Sequence, residues 1–204
     1  MVDTVCLDVM GTVLYDPYLE AIEAGTGMAL ADVVNIRDPR SWPDFEMGLI
    51  DEAEFVRRFF LAADEPPAFD LAAFHRVRRA GYCFLPGMEK LLGDLRGAVT
   101  RYAASNYPVW IEELAHRFDF ARHFDGVVAS CHLGVRKPDP EFFAKLLAAI
   151  DRPAHACLFV DDRVANCDAA ASVGMAAHLF DGADGLRVRL VDEGVLDGET
   201  TGRA

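Results

Sequence analysis

A doubly wound parallel α/β sheet, with a small all-helical insert after its first strand, is the fold this sequence predicts. Three observations lead there. From residue 86 onward, short apolar runs alternate with segments of helical periodicity, the pattern of strand and crossover helix. An apolar run of the same kind opens the chain. Between the two, from Pro17 to Tyr82, apolar residues recur at helical intervals and no run reads as a strand. The 204 residues suffice for one large domain or one domain with a smaller insert, and 52% apolar content supplies a core. The expected division is a core of residues 1–15 and 83–204 and a helical insert of residues 16–82.

The elements follow in order. Val2, Val5, Cys6 and Leu7 form a buried first strand that stops at Asp8, and Gly11 permits a sharp turn. Residues 13–17 lead out of the sheet. Tyr18, Leu19 and Ile22 share an apolar helical face. Residues 51–54 open a second helix with acids suited to its N-terminus, and Phe55, Val56, Phe59 and Phe60 continue its buried side. Glu65, Pro66 and Pro67 break it. Residues 71–77 begin a further helix, with Phe74 inward and Arg76, Arg78 and Arg79 outward. Pro86 and Gly87 restart the core, and Met88, Leu91, Leu92 and Leu95 have helical spacing.

Residues 99–104 are the second strand, ending at Ser105 and Asn106, and residues 110–118 are a helix. Residues 126–130 are the third strand, and residues 140–150 a strongly apolar helix. Residues 157–160 are the fourth strand, ending at Asp161 and Asp162. Residues 166–173 form a helix closed by Gly174, a residue suited to that terminus. Residues 175–180 are the last strand. A helix around residues 186–191 precedes a polar end expected to fray.

Composition excludes several functions. A formal net charge of −13 argues against nucleic acid, whose phosphates attract basic surface. No stretch approaches the ~18 uncharged apolar residues of a membrane span. No basic segment precedes the first apolar run, so no secretory leader and a cytoplasmic location are expected. The five cysteines are scattered without metal-knuckle spacing and read as free, mostly buried thiols. The pattern is compatible with a monomer or a homodimer.

Chemistry concentrates at the strand ends. Parallel strands place their C-terminal ends on one rim, which gathers Asp8, Ser105, Asn106, Asp161 and Asp162, with Lys137 arriving on a later loop. Each has a plain structural reading: the acidic pair as a solvated turn, Lys137 as a surface lysine, Ser105-Asn106 as a helix cap. Their order and common location argue for a site. Three neighbouring carboxylates repel unless a cation joins them, and an all-oxygen set suits Mg²⁺. With Lys137, that ion would screen a phosphoryl group so that anionic Asp8 could approach.

These residues resemble the motifs of the haloacid dehalogenase superfamily of hydrolases over nearly the whole chain. Asp8-Val-Met-Gly-Thr12 is similar to the nucleophile motif and Ser105-Asn106 to the second. Lys137, in Gly-Val-Arg-Lys-Pro-Asp-Pro, is similar to the third. Asp161-Asp162, in Phe-Val-Asp-Asp-Arg, is similar to the fourth. Residues 43–51 resemble the small helical cap of the branch that includes sugar-phosphate phosphatases and the phosphatase domain of soluble epoxide hydrolases. The resemblance implies that the insert closes over the site and selects a small phosphorylated substrate. It implies Asp8 as nucleophile, with Asp8, the Met10 carbonyl and Asp162 as Mg²⁺ ligands and Asp161 beside them. Ser105 and Lys137 would bind the phosphoryl group, with Gly11, Thr12 and Asn106 completing the substrate contacts. Trp42, Phe45, Arg37 and Arg40 fall in the part that selects substrate.

One position departs from the pattern. Phosphatases of this family carry an Asp two residues after the nucleophile, which protonates the leaving alcohol, and here that residue is Met10. A thioether does no acid–base work, and a missing general acid costs ~10²–10⁴-fold. Three outcomes are open: a phosphatase that is weak or restricted to good leaving groups, a 2-haloacid dehalogenase-like attack at carbon, or a silent binding module. Asp161 and Asp162 would repel a carboxylate substrate and disfavour the second. His75 and His132 are, by residue type, candidates to replace the missing acid.

Overall fold

A computed structural model describes residues 1–60 and 66–197. Glu65, expected to help break a helix, and residues 198–204 of the polar end lie outside the described residues.

Five parallel strands form one sheet: β1 (Thr4–Leu7), β2 (Thr100–Ser105), β3 (Gly126–Ala129), β4 (Cys157–Asp161) and β5 (Ala176–Leu179), in the order β3-β2-β1-β4-β5. β1 lies at the centre, with Cys6 in register with Tyr102 on one side and Phe159 on the other. Every residue of β1 and β4 is buried, which explains why both read as unbroken apolar runs rather than alternating ones. Side chains still alternate between two cores. Val5, Leu7, Leu158 and Val160 face one; Cys6, Cys157 and Phe159 join Phe142, Phe143 and Leu146 on the other face.

Among the described residues, five helices lie between β1 and β2 ahead of the core's first helix: α1 (Tyr18–Thr26), α2 (Leu30–Ile36), α3 (Ser41–Glu46), α4 (Glu52–Arg58) and α5 (Leu71–Gly81). They form the all-helical insert and contribute no strand. α1 packs along α5, where a Cβ on Gly25 would come within 3.0 Å of the Phe74 Cβ. The rest of the insert closes on aromatic rings. Phe45 and Phe55 stack with centroids 5.1 Å apart, and Trp110 of the core meets Phe45 edge-on at 4.9 Å. The indole N–H of Trp110 donates to Glu52 across this junction at 2.6 Å.

The core then continues with α6 (Met88–Asp94), α7 (Ile111–Arg117), α8 (Phe120–His123), α9 (Ser130–Leu133), α10 (Pro140–Ile150), α11 (Val164–Ser172) and α12 (Ala183–Asp192). Among the described residues no helix is long and apolar enough to cross a membrane.

Three local expectations need correction. Arg78 does not point outward: it is 1% exposed, its guanidinium stacks 4.4 Å from the Trp110 ring, and it donates to Glu113 at 2.9 Å. It shares the face of Phe74, one helical turn earlier. Leu19 is 54% exposed because the buried face of α1 runs through Ala21, Ile22 and Gly25. Ser130 does not extend β3 but starts α9, where its hydroxyl donates to the Glu46 carbonyl and accepts from the Tyr107 N–H.

Candidate active site

The strand order reverses between β1 and β4, since the chain winds one way through β2 and β3 and the other way through β5. α/β sheets bind ligands in the crevice at such a point, beyond the carboxyl ends of the strands. Asp8 follows β1 there and its N–H donates to the Val160 carbonyl of β4 at 2.8 Å. Asp161 is the last residue of β4. Ligand oxygens of Asp8, Asp161 and Asp162 all lie within 4.8 Å of one another.

Lys137 is the hub. Its ammonium donates to Asp8 Oδ1 at 2.8 Å, Asp161 Oδ2 at 2.7 Å and the Ala104 carbonyl at 2.8 Å. Those bonds use all three of its protons. Its side chain is 1% exposed. Burial alone would pull its pKa down, but Asp8 and Asp161 outweigh burial and hold it above the ordinary lysine range. Asn106 fixes the backbone beneath it, donating to the Lys137 carbonyl at 2.9 Å and accepting from the Lys137 N–H at 2.8 Å. Ser105 and Asn106 therefore form no helix cap; Ser105 closes β2.

The carboxylates differ. Asp161 is fully buried and its oxygens are committed, Oδ2 to Lys137 and Oδ1 to Asn166 Nδ2 at 2.8 Å and the Arg163 N–H at 2.9 Å. Asp162 is exposed at the rim. Burial and then the Asp161 charge raise its pKa. Asp8, 7% exposed, is pushed up to about 7 by burial, against the pull of Lys137 and with added repulsion from Asp161.

Gly11 makes this approach possible. It turns at φ +81°, and a Cβ there would lie 2.7 Å from Asp162 Oδ2. Thr12 and Ser105 are fully buried, and the hydroxyl oxygen of each has no hydrogen-bond partner among the described residues. Cys167 donates weakly to the Asp161 and His178 carbonyls from behind the site.

A cavity of about 270 Å³ lies above this rim. Asp8, Met10, Asn106 and Lys137 contribute its floor, and Tyr18, Arg37, Trp42 and Glu46 reach it from the insert. Asp16, Tyr107, Arg136, Arg163 and Asn166 complete much of the wall. Of the residues expected to select substrate, Arg37 and Trp42 line the cavity. Phe45 is buried in the aromatic cluster and Arg40 is exposed elsewhere. Neither candidate histidine lines it. His75 bonds Glu52 at 2.9 Å, and His132 accepts from the Ala129 N–H beside α9.

Sequence reasoning missed Asp16, Tyr18, Glu46, Arg136, Arg163 and Asn166 as cavity residues. Adjacency was an available signal for Arg136 and Arg163, which flank Lys137 and Asp162. Glu46 lay within the cap-like residues 43–51 but nothing local marked it out: it is 5% exposed on a short helix, with Arg136 at 2.7 Å.

The profile of the haloacid dehalogenase-like hydrolases matches residues 2–174. The chain is 34% identical over 189 residues to flavin mononucleotide hydrolase 1 (chloroplastic) of Arabidopsis thaliana, covering 92% of this chain and 76% of that protein. It is 34% identical over 164 residues to the sesquiterpene phosphatase astK of Aspergillus oryzae, covering 76% and 81%. Among solved structures, a haloacid dehalogenase-family enzyme of Bacteroides thetaiotaomicron, in complex with magnesium and inorganic phosphate, superposes with a TM-score of 0.71. It is 18% identical, with 87% of this chain and 93% of that chain covered. The L-2-haloacid dehalogenase of Xanthobacter autotrophicus superposes at 0.65, also 18% identical, with 96% and 84% covered.

Proposed function

The chain belongs to the haloacid dehalogenase-like hydrolases, and from that premise we propose that it is a Mg²⁺-dependent phosphatase of small phosphorylated molecules working through an aspartyl-phosphate on Asp8. The observation that carries this reading is the shared ammonium of Lys137 between Asp8 and Asp161, with Asp162 bringing a third carboxylate within 4.8 Å. A flavin mononucleotide hydrolase and a sesquiterpene phosphatase among its relatives support phosphate as the group released. We also propose residues 16–82 as a cap over a core of residues 1–15 and 83–204.

The donor set fits a hard divalent cation. It is all oxygen, and burial with mutual repulsion raises Asp8 and Asp162 in a way that positive charge would relieve. Asp8, Asp162 and the Met10 carbonyl would hold Mg²⁺, which neutralises phosphoryl charge when bound. The protein groups do the rest. Lys137 aligns Asp8 and offsets the incoming negative charge. The unpartnered hydroxyls of Thr12 and Ser105 donate to phosphoryl oxygens. A carboxylate oxygen of Asp8 forms a bond to phosphorus as the ester oxygen–phosphorus bond breaks and the leaving oxygen takes a proton. Water then attacks phosphorus, breaks the acyl phosphate and releases phosphate and free Asp8.

The test is p-nitrophenyl phosphate hydrolysis with Mg²⁺ or with chelator. Activity should require Mg²⁺ and fall by about 10⁴-fold or more in Asp8→Asn. In a background with no other proton source for the leaving oxygen, Met10→Asp should raise the rate on alkyl phosphates by about 10²-fold. Halide release from a 2-haloacid that persists in chelator, with no phosphatase activity, would overturn the reading in favour of attack at carbon.

A further inference from the structure

Met10 leaves the leaving oxygen without a carboxyl proton source on the floor of the cavity, so a proton must come from its walls. Apart from the proposed metal ligands, two carboxyls line the cavity, Asp16 at the start of the insert and Glu46 further along it, with the phenols of Tyr18 and Tyr107 beside them. Resting on the phosphatase reading above, we propose that Glu46, from the insert, is the general acid that protonates the leaving oxygen, in place of the carboxyl that Met10 lacks.

Position and bonding carry this. Glu46 lines the same cavity as Asp8 and is 5% exposed. Its backbone is pinned to the core, because the Ser130 hydroxyl donates to its carbonyl. Its Oε2 lies 2.7 Å from Arg136 Nη2, an ion pair that orients the carboxyl at the cavity wall. Arg136 immediately precedes Lys137, and Glu46, Arg136, Lys137 and Asp8 all line the one cavity. A nearly buried carboxyl in the wall of the cavity that holds Asp8 is placed to serve a group bound there.

The groups facing Glu46 are Arg136, from the loop after α9; Arg163, from the loop after β4; Tyr18 of α1; and Trp42 of its own helix. Burial outweighs both guanidinium groups and pushes Glu46 up to about 7. A large share is therefore protonated at neutral pH, where a general acid is most effective. Asp16 is pushed up to about 6, also by burial, but its Oδ1 accepts from the Tyr18 N–H at the start of α1. The Tyr18 phenol is raised further from neutrality by burial, and its oxygen has no hydrogen-bond partner among the described residues.

The Glu46 carboxyl proton passes to the ester oxygen as its bond to phosphorus breaks and the Asp8 oxygen–phosphorus bond forms. The resulting Glu46 carboxylate takes a proton from the water that attacks the acyl phosphate, which restores the acid.

The experiment compares kcat/KM for p-nitrophenyl phosphate, whose leaving group needs no proton, with that for phenethyl phosphate, whose leaving group does. Glu46→Gln should lower the alkyl-to-aryl ratio by about 10²-fold. Met10→Asp in the Glu46→Gln background should restore it. In the unaltered protein the alkyl rate, but not the aryl rate, should fall as pH rises through about 7, because the acid loses its proton. That profile needs no variant and stands if Glu46→Gln folds poorly. Equal losses on both substrates, a pH-independent ratio, or a ratio that collapses in Asp16→Asn instead would overturn the proposal. Absence of any Asp8-dependent aryl phosphatase activity is the separate result that overturns the hydrolase reading beneath it.

Discussion

Single residues carry the electrostatic tension of this protein. Glu46 costs stability whenever it is charged, since burial raises it from an ordinary glutamate value of 4.5 to about 7. A carboxyl raised on folding binds its proton more tightly in the native state. Stability therefore falls as pH rises from about 4.5 and the loss is complete above about 7, by ~3 kcal/mol. Glu46→Gln should remove that part of the slope, read as urea midpoints at pH 5 and pH 8. Arg78 shows the opposite resolution of a buried charge. It has Glu113, Tyr82 and the face of Trp110 as partners, and so it holds the insert to the core. Met10 could be read from the sequence as a departure; Glu46 and Arg78 could not. Whether a charged side chain is buried depends on which ring or counter-ion lies opposite, and that partner is remote in sequence: position 110 for Arg78, position 136 for Glu46.

At the scale of elements, legibility followed capping and periodicity. α5 begins after Asp70, whose carboxylate accepts from the Ala73 N–H at 2.9 Å, and α4 after Asp51, which accepts from Glu54 at 2.8 Å. Both signals stand in the sequence. Asp70→Ala should cost about 1 kcal/mol, measured by thermal or urea unfolding. α2 and α3 start after Ala29 and Arg40 with no side-chain cap, and were legible only as part of a generally helical region. They form because the aromatic rings and Val33 pack against the rest of the insert. The short α8 and α9 were unread for a similar reason, since four residues are too few for a periodic pattern. Strands were found to within a residue or two. Ser130 was assigned to the wrong element because an apolar run does not announce where pairing with its neighbour stops.

For the whole molecule, the deciding feature is the reversal of strand order beside β1. It brings the loop after β1 against the end of β4, so carboxylates more than 150 positions apart come within 4.8 Å of one another, where the proposed cation would bind. A cation bound there links two central strands and should stabilise the fold globally. Mg²⁺ at about a hundred times its dissociation constant contributes ~2.7 kcal/mol, a Tm rise of roughly 5–10 °C for a chain of this size. Calorimetry with and without chelator checks this, and Asp162→Asn should remove most of the rise. By itself the sequence determined the α/β class, the parallel sheet and the helical insert, because periodicity and strand-end motifs are local and survive without coordinates. It also marked Asp8, Ser105, Lys137 and the acidic pair as one group, since parallel strands share a rim. Only the tertiary structure decided that Lys137 divides its protons between Asp8, Asp161 and the Ala104 carbonyl, and that Asp161 is saturated while Asp162 faces outward. It alone set the cavity's upper wall, including Glu46. Those outcomes depend on side-chain direction and on packing between elements distant in the chain, where no short-range pattern records the contact.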